Sequence, residues 1–291
     1  MAKSIKHIKA GPLHIEVIGK TPDREPGRRR SAKNKETSPA QAFYNLKSSW
    51  RELELWIAAN FTSRDMVVTF TFDDDHLPDS KARAGDLFIQ KYARRLRQAR
   101  GKRGDDLKFI IAPEGFHSRG GNSFLDDDDD LEDRRFHIHA VINSTGANDY
   151  DEMRSLWEFG GYIRIEKLDL HYVAELAKYM TKEAREFGRP KKGEHTWRRS
   201  RNLNQYEVEY IDIPTDSVTL SPPDGAVDYV QFAEANPYGY GQCVGARYLL
   251  FPRREQVRYT YNQGRSAKPP LNFNLETSLN SRDRQEKMKK G

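Results

Sequence analysis

The sequence is poor in the residues that build disulfide-bonded or membrane-spanning proteins. Cys243 is the single cysteine among 291 residues, so no disulfide can form within the chain. Such usage fits a reducing compartment. The chain also lacks a run of about 18 apolar residues, the length that suggests a transmembrane helix, and its first twenty residues contain no long apolar stretch of the kind found in signal peptides. These absences predict a soluble, cytoplasmic protein with no membrane partner.

Charged residues, by contrast, are abundant. They make up 32% of the chain, and 49 Lys or Arg against 43 Asp or Glu leave a net charge of +6. A modest basic excess indicates a polyanionic partner without establishing one. The 36% of hydrophobic residues suffices for one sizeable core. No P-loop is present, because "GRPKKGEH" has Glu194 and His195 where that motif needs Lys and Ser or Thr.

Three segments differ in composition. Residues 1–37 hold ten Lys or Arg against four Asp or Glu and predict a basic, flexible tail, either a solvated linker or a nucleic-acid-binding arm. Residues 38–215 carry regular helical and strand patterns and predict the folded domain. Residues 216–291 are rich in turns and then polar, and predict a partly disordered C-terminal extension. Seven acids between Asp126 and Asp133 predict a solvated loop inside the domain.

Helical and strand patterns alternate within residues 38–215. An amphipathic helix begins after Ser38, the β-branched strand "VVTFTF" follows, and a basic helix covers residues 80–102. Further strands are predicted at "LKFIIAPEG", "RRFHIHAVIN", "YIRIEKL" and "QYEVEYIDI", with helices at "DYDEMRSLWEFG" and "LHYVAELAKYMTKEAREFG". This order predicts an α+β fold with an antiparallel sheet of about five strands flanked by helices.

Two histidines share one face of the strand "RRFHIHAVIN". His137 and His139 are two residues apart, so their side chains lie roughly 6–7 Å apart on the same side. Such a pair can bind a metal ion, or it can be an exposed or core-satisfied pair. Glu114 ends the preceding strand; if the two strands pair, it completes a set of two histidines and one carboxylate, and otherwise it is a surface group. Such ligands suit a divalent ion with open positions for a phosphate oxygen.

A tyrosine and a lysine share one face of the predicted helix "YVAELAKYMTKE". Tyr179 and Lys182 are three residues apart. A tyrosine hydroxyl can attack a phosphodiester and form a covalent phosphotyrosine, and a lysine can stabilise the developing charge. The alternative is that Tyr179 only contacts the core. Tyr172 precedes it by seven residues, about 10 Å along the same face, and is expected to pack against the core.

Two basic segments are candidates for contact with DNA, the helix over residues 80–102 and the segment "GRPKKGEHTWRRSRNL". Basic side chains can follow a phosphate backbone, and a tryptophan can stack on a base. The alternative for the second segment is a solvated loop. The acidic strand end "FDDDHLPD" is interpreted as a polar turn and helix cap, with a secondary metal role as the alternative. The candidate DNA-binding residues are Arg94, Arg95 and Arg97 on the helix, and Lys191, Lys192, Trp197, Arg198, Arg199 and Arg201 in the later segment.

In their order along the chain, these motifs resemble the HUH superfamily of single-strand DNA nicking enzymes. "FHIHAVI" is similar to its two histidines around a bulky hydrophobic residue, "YMTK" to its Tyr-x-x-Lys motif, and "VVTFTF" to its first strand motif. The wider spacing over residues 40–205 looks most like rolling-circle replication initiators with a Rep domain of the filamentous-phage gene II type.

The resemblance implies a ferredoxin-like HUH endonuclease fold over residues 38–215. It implies that His137 and His139, with Glu114 as third ligand, hold Mg²⁺ or Mn²⁺, that Tyr179 is the nucleophile, and that Lys182 assists it. The implied activity is nicking of single-stranded origin DNA through a 5′-phosphotyrosine, followed by a resealing strand transfer, with a host helicase and polymerase as partners. A relaxase or transposase of the same superfamily, a catalytically silent origin-binding protein and a non-nuclease metal protein are the alternatives.

Overall fold

The computed structural model describes residues 3–20, 39–117, 134–146, 148–182, 195–213, 220–235 and 242–251. All of them except Phe251 belong to one compact unit that extends to Leu250. Within these ranges, no helix is both long enough and apolar enough to cross a membrane.

Ten strands and five α-helices are found in the described ranges. The strands are β1 (Lys3–Ala10), β2 (Leu13–Lys20), β3 (Met66–Thr71), β4 (Phe109–His117), β5 (Arg134–Ile142), β6 (Ile163–Lys167), β7 (Arg198–Arg199), β8 (Glu207–Ile213), β9 (Val227–Ala235) and β10 (Gln242–Leu249). The helices are α1 (Pro39–Asn60), α2 (Lys81–Leu87), α3 (Ala93–Gly101), α4 (Asp149–Leu156) and α5 (Val173–Met180). A π-helical turn, Phe88–Tyr92, joins α2 to α3, and 3-10 turns, Asp74–His76 and Leu170–Tyr172, precede α2 and α5.

The strands form two antiparallel sheets of five strands each. The central sheet has the order β6-β3-β5-β4-β7, and the terminal sheet has the order β8-β1-β2-β10-β9. The predicted α+β class, with an antiparallel five-stranded sheet flanked by helices, is therefore confirmed. The terminal sheet was not predicted. The strand "QYEVEYIDI" was predicted as the fifth strand of the domain, but as β8 it pairs with β1, and the short β7 completes the central sheet.

One face of the central sheet carries the apolar core beneath α2, α3 and α4. Phe70 of β3 and Ile138 of β5 are fully buried there. The ring of Phe70 lies 5.0 Å from that of Tyr92 and 4.8 Å from that of Trp157. Because successive residues of a strand point to opposite faces, the residues on either side of Ile138 point away from this core. The opposite face of the sheet is therefore the one that carries the histidine pair.

Helix α1 lies between α5 and the terminal sheet, and contacts both. The turn between β1 and β2 approaches α1 so closely that a Cβ atom on Gly11 would lie 2.2 Å from the carbonyl oxygen of Ala58. Gly11 also has a φ of +57°, a left-handed conformation that favours glycine. A buried ion pair between Glu54 of α1 and Arg247 of β10, at 2.7 Å, joins the helix to the same sheet.

The prediction of a flexible tail over residues 1–37 is wrong for residues 3–20. They form the β1–β2 hairpin, whose buried side chains include Ile8, Leu13 and Ile15. The count of basic residues concealed this apolar face because the lysines occupy other positions of the same strands. Residues 21–37 lie outside the described ranges.

The C-terminal extension, predicted as partly disordered, supplies β9 and β10 of the terminal sheet. Its residues 252–291 lie outside the described ranges, as do the acidic stretch from Asp126 to Asp133, Lys191 and Lys192.

Candidate functional site

Strand pairing brings the predicted metal ligands together. In the antiparallel register of β4 and β5, Glu114 lies directly opposite His137. On the other side of β5, Thr69 and Thr71 of β3 lie opposite His139 and His137. Directly opposed residues of neighbouring strands share a face. The pairing on which the role of Glu114 depended is therefore present, and all five side chains lie on one face of the central sheet.

Three potential ligand atoms converge on one point. His139 Nε2 lies 2.9 Å from Glu114 Oε2 and 3.1 Å from His137 Nε2. His137 Nε2 lies 3.3 Å from the same carboxylate oxygen. Glu114 and His139 are buried, whereas the side chain of His137 retains 16% of its exposure. The group is thus open to solvent on the side of His137.

The protonation of the cluster follows from its burial and its contacts. Burial alone would raise the pKa of Glu114, but its contacts with His137 and His139 and the nearby charge of Lys182 lower it to about 2. Burial lowers the pKa of His139 from its usual value, more than the contact with Glu114 raises it. An ionised carboxylate and a neutral imidazole are the states that a metal ion requires of its ligands.

The donor set fits a divalent metal ion. When neutral imidazoles present their Nε2 lone pairs, two such atoms and a carboxylate oxygen meet without enough protons to satisfy every contact. Glu114 Oε1 is also buried, and the ammonium group of Lys182 lies 3.3 Å from it. One metal ion between the two imidazoles and Oε2 removes the shortage of protons. Glu114, His137 and His139 form a group that can hold a metal ion, and a second such group of three is not found among the described residues.

Thr69 orients one of these histidines, and it was missed by the sequence analysis. Its Oγ1 lies 3.2 Å from His139 Nδ1. When Nδ1 donates this hydrogen bond, Nε2 is left with a lone pair directed at the cluster. The available signal was the alternation in "VVTFTF", which places both threonines of β3 on one face, but it shows this contact only once the register of β3 against β5 is known.

The predicted nucleophile and its lysine lie against the same cluster. The ring of Tyr179, on α5, lies 4.9 Å from the ring of His139. Lys182 Nζ lies 3.9 Å from the centre of the Tyr179 ring and 3.3 Å from Glu114 Oε1. Tyr179 keeps 46% of its exposure, so a ligand can reach it from solvent. The structure therefore gathers Glu114, His137, His139, Tyr179 and Lys182 in one place.

The prediction that Tyr172 packs against the core is wrong. Tyr172 is 59% exposed. It ends the 3-10 turn before α5 and does not belong to the regular helix. The extrapolation of one helical face back to Tyr172 failed because α5 begins only at Val173.

The basic residues of α3 are not part of this cluster. Arg94, Arg95 and Arg97 are exposed, and Arg95 forms an ion pair with Glu158. Their neighbour Leu96 belongs to the core on the face of the central sheet opposite the histidines. A contact between these arginines and DNA stays a prediction.

The later basic segment divides between the two faces of the central sheet. Arg198 forms an ion pair with Asp86 of α2 at 2.6 Å. Arg199 instead lies opposite Ile110, on the face that carries Glu114, with its guanidinium 3.6 Å from the centre of the Trp56 ring. Trp197 donates a hydrogen bond to Ser49 at 3.3 Å, and Arg201 is exposed. Arg199 is thus an arginine of this segment that shares a face with the cluster.

Comparison of the chain with protein-family models, with curated proteins and with solved structures finds no match. The function is therefore argued from the geometry of the site.

Proposed function

We propose that this protein is a metal-dependent single-strand DNA endonuclease and strand transferase of the HUH type, which nicks a replication origin for rolling-circle replication. One observation carries the proposal: an accessible tyrosine and a lysine lie directly against a buried group of two histidines and one glutamate. A protein that only bound a structural metal ion would not need an exposed phenol beside it.

The chemistry asked of Tyr179 is transesterification. Its phenol oxygen attacks the phosphorus of a DNA phosphodiester, a bond from this oxygen to phosphorus forms, and the bond to the 3′-oxygen breaks. The phenol proton ends on the departing 3′-hydroxyl, and the 5′-phosphate remains on the tyrosine. Because one ester replaces another, the reverse reaction can reseal the strand without ATP. The free 3′-hydroxyl can prime synthesis, which is where a host helicase and polymerase enter as partners.

Lys182 is positioned to act on the same step. Its ammonium group lies over the Tyr179 ring and beside Glu114. Negative charge develops on the phosphate oxygens and on the attacking oxygen during the reaction, and a cation fixed within a few ångströms stabilises that charge. Lys182 also offsets the charge of the buried Glu114 carboxylate, which keeps the cluster from repelling a phosphate.

The ion that we propose is Mg²⁺ or Mn²⁺, which the resemblance implies. Glu114, His137 and His139 would hold it, and the carboxylate is a ligand that suits either ion. The bound ion would polarise a phosphate oxygen and so make the phosphorus more electrophilic. Thr69 would keep His139 in the required orientation.

An unpaired strand is the substrate that fits this surface. The tyrosine lies on a helix against a sheet, and it must approach a phosphorus atom within the length of one side chain. A single strand can bend its backbone into the cluster, and the exposed Arg199 on the same face can contact its phosphates.

The test is the formation of a covalent adduct. Purified protein is incubated with Mn²⁺ and a radiolabelled library of single-stranded oligonucleotides with random sequence, so that the origin need not be known, and the products are separated on a denaturing gel. The expected result is a slow-migrating protein–DNA band that chelation abolishes and that Tyr179→Phe removes.

Tyr172→Phe is the matched control, because it removes a hydroxyl from another exposed tyrosine seven residues away. It should leave the band unchanged. Loss of the band in Tyr172→Phe alone would show that Tyr172, and not Tyr179, is the nucleophile. Tight binding of the library without any adduct would favour a catalytically silent DNA-binding protein. The sequence recovered from the adduct, and the release of a free 3′ end that a polymerase extends, would separate a replication initiator from a relaxase or transposase.

A further inference from the structure

A cavity of about 440 Å³ opens beside His137. This volume is within the range of roughly 300–1,000 Å³ that is usual for small-molecule sites. The cavity lies where β3 ends, where β5 begins and where the chain enters β6. Its lining includes Thr71, Asp73, Phe136, His137, Gly161 and Tyr162. One wall is thus shared with the metal-ligand cluster, so a ligand in the cavity lies next to whatever that cluster binds.

Gly161 lines the cavity, and Gly160 precedes it in the chain. Gly160 and Gly161 have φ angles of +61° and +69°, which favour glycine. A Cβ atom on Gly161 would lie 2.3 Å from the carbonyl oxygen of Thr71, and one on Gly160 would lie 1.6 Å from an Asp73 carboxylate oxygen. Any other residue at either position would push this segment away from β3. The cavity therefore depends on the close approach that glycine permits.

Tyr162 has a fixed backbone and an accessible ring. Its N–H donates to Thr71 Oγ1 at 2.6 Å, and its carbonyl oxygen accepts from the same hydroxyl at 3.0 Å. Its side chain nevertheless keeps 65% of its exposure. An aromatic ring held in this way at the rim of a cavity is a surface on which a flat ring can stack. Phe136 adds a second aromatic group to the lining.

The polar lining contains two carboxylates beside the hydroxyls of Thr71 and Tyr162 and the imidazole of His137. Asp73 Oδ1 accepts from the backbone N–H of His76 at 3.0 Å and contacts the ring of the same histidine, while Oδ2 lies alongside Gly160. Asp74 brings a second carboxylate to the cavity. Ionised carboxylates accept hydrogen bonds and cannot donate them. A carboxylate therefore accepts a hydrogen bond from the exocyclic amino group of a base. The carbonyl oxygens of thymine, which flank its single ring N–H, are instead repelled by the carboxylate.

We propose that this cavity holds the nucleobase next to the scissile phosphate on the His137 side, and that it accepts adenine, cytosine or guanine and disfavours thymine. Each of the three accepted bases carries an exocyclic amino group for the carboxylates, and thymine has none. Tyr162 supplies the stacking surface, and Asp73 is the residue that determines the preference. This inference rests on the proposed nicking activity, which supplies the strand whose base enters the cavity.

The test measures nucleotide binding in the cavity and does not depend on DNA cleavage. The ¹⁵N-labelled full chain is titrated with dAMP, dCMP, dGMP and TMP in metal-free buffer, and the amide signals of Gly160, Gly161 and Tyr162 are followed by NMR. The three amino-bearing nucleotides should shift these signals in a saturable way. TMP should bind about fivefold or more weakly, since one well-made base contact discriminates by roughly that factor or more.

Two variants separate stacking from hydrogen bonding. Tyr162→Ala should weaken binding of all four nucleotides by about fivefold or more, whereas Tyr210→Ala, which removes a ring of nearly equal exposure from the terminal sheet, should change nothing (65% and 66% exposed). Asp73→Asn keeps an acceptor for the turn of His76 and replaces the other oxygen with a donor, so TMP should then bind at least as well as dCMP.

Three results would overturn the inference: no shift with any nucleotide, equal affinity for TMP and dCMP in the unchanged protein, or full binding by Tyr162→Ala. Mg²⁺ alone can shift the same signals through the neighbouring metal-ligand cluster, so shifts with Mg²⁺ and none with nucleotides would also overturn the inference. The outcome is independent of the adduct test. An adduct without nucleotide-induced shifts would support the proposed nicking activity and contradict the base site. Nucleotide-induced shifts without an adduct would support the base site and contradict the nicking activity.

Discussion

Each of the two sheets carries a pair of histidines whose ring nitrogens lie at the same distance. In the central sheet, His137 Nε2 and His139 Nε2 are 3.1 Å apart. In the terminal sheet, His7 Nε2 and His14 Nδ1 are also 3.1 Å apart. Only the first pair has a carboxylate within reach of both rings, because Glu114 reaches between β4 and β5.

The carboxylate near the second pair is committed elsewhere. Glu16 accepts a hydrogen bond from the hydroxyl of Tyr248 at 2.7 Å, and His14 stacks on the Tyr248 ring. The difference teaches that two close histidines are not sufficient for a metal site. What distinguishes the central sheet is a buried carboxylate that lies against both imidazoles, with the ammonium group of Lys182 on its other oxygen.

The largest effect is expected from removing the histidine pair of the central sheet, and the pair of the terminal sheet is the control. His137→Ala with His139→Ala should abolish Mn²⁺ binding, because a single carboxylate cannot retain the ion. His7→Ala with His14→Ala should leave both the affinity and the stoichiometry of one ion per chain unchanged. Isothermal titration calorimetry measures both quantities. Binding of two ions, or a loss caused by the terminal-sheet variant, would break the distinction drawn between the pairs.

Two arginines differ in the same way, one with a complete set of partners and one with an incomplete set. Arg100 of α3 is fully buried and donates to Asp149, Glu152 and Asn143 at 2.8 to 3.2 Å. It thereby joins α3 to α4 and to the end of β5. Arg247 of the terminal sheet has one acidic partner, and its Nη2 finds no hydrogen bond among the described residues.

Removing Arg100 is expected to be the more costly change. Arg100→Met should lower the free energy of unfolding by about 3–5 kcal/mol, since two carboxylates lose their buried counter-charge. Arg97→Met is the matched control, because Arg97 is an exposed arginine on the same helix, and it should cost less than about 0.5 kcal/mol. Urea unfolding followed by circular dichroism measures both. Equal losses in the two variants would mean that the Arg100 network contributes no net stability.

The central sheet could be predicted from the sequence because its information is local. The alternation around Ile138 places both histidines on one face. Because β4 and β5 follow each other in the sequence, their pairing, which brings Glu114 to the histidines, could be expected. Tyr179 and Lys182 were predicted on one helix face, but α5 ends at Met180, so Lys182 lies beyond the helix and approaches Tyr179 from there. The contact between α5 and the sheet has no local signal, however, and only the resemblance to a known motif order joined the tyrosine to the histidines.

The terminal sheet could not be predicted because its pairings join distant parts of the chain. Lys9 of β1 forms an ion pair with Glu209 of β8 at 3.0 Å, across 200 positions of sequence. Nothing in "KSIKHIKA" indicates such a partner, and its lysines favoured the prediction of a tail. The cavity beside His137 was missed for a related reason, since Gly161 is recognisable as essential only when Thr71 is seen against it.

A smaller effect is expected from the threonine that orients His139. Thr69→Val removes the hydroxyl next to Nδ1 and keeps the shape of the side chain. Metal affinity or nicking rate should fall by about 10–100-fold, the usual cost of losing such a supporting contact. Thr71→Val is the matched control for metal affinity, because the Thr71 hydroxyl contacts Tyr162 and not the histidines. A Thr69→Val protein with unchanged Mn²⁺ affinity would show that the second hydrogen bond of His139 does not matter.

The smallest effect is expected at the incomplete ion pair of the terminal sheet, and it depends on pH. Burial raises the pKa of Glu54 above its ordinary value of 4.5, and the charge of Arg247 opposes that rise. Arg247→Met removes the opposing charge, so the pKa of Glu54 rises further. A group with a raised pKa in the folded state loses stability as pH increases, because the folded protein then holds the proton more tightly than the unfolded chain.

Arg247→Met should therefore cost about 1 kcal/mol at pH 7, the lower end of the range for a buried group left without its partner, because Arg247 is itself partly exposed. The loss should shrink below pH 4.5, where Glu54 is protonated in both states. Adding Glu54→Gln to Arg247→Met should abolish the pH dependence of the difference, since no titrating group then remains in the pair. Urea unfolding at pH 4 and pH 7 tests this, and a loss that is equal at both values would mean that Arg247 stabilises the terminal sheet through packing and not through its charge.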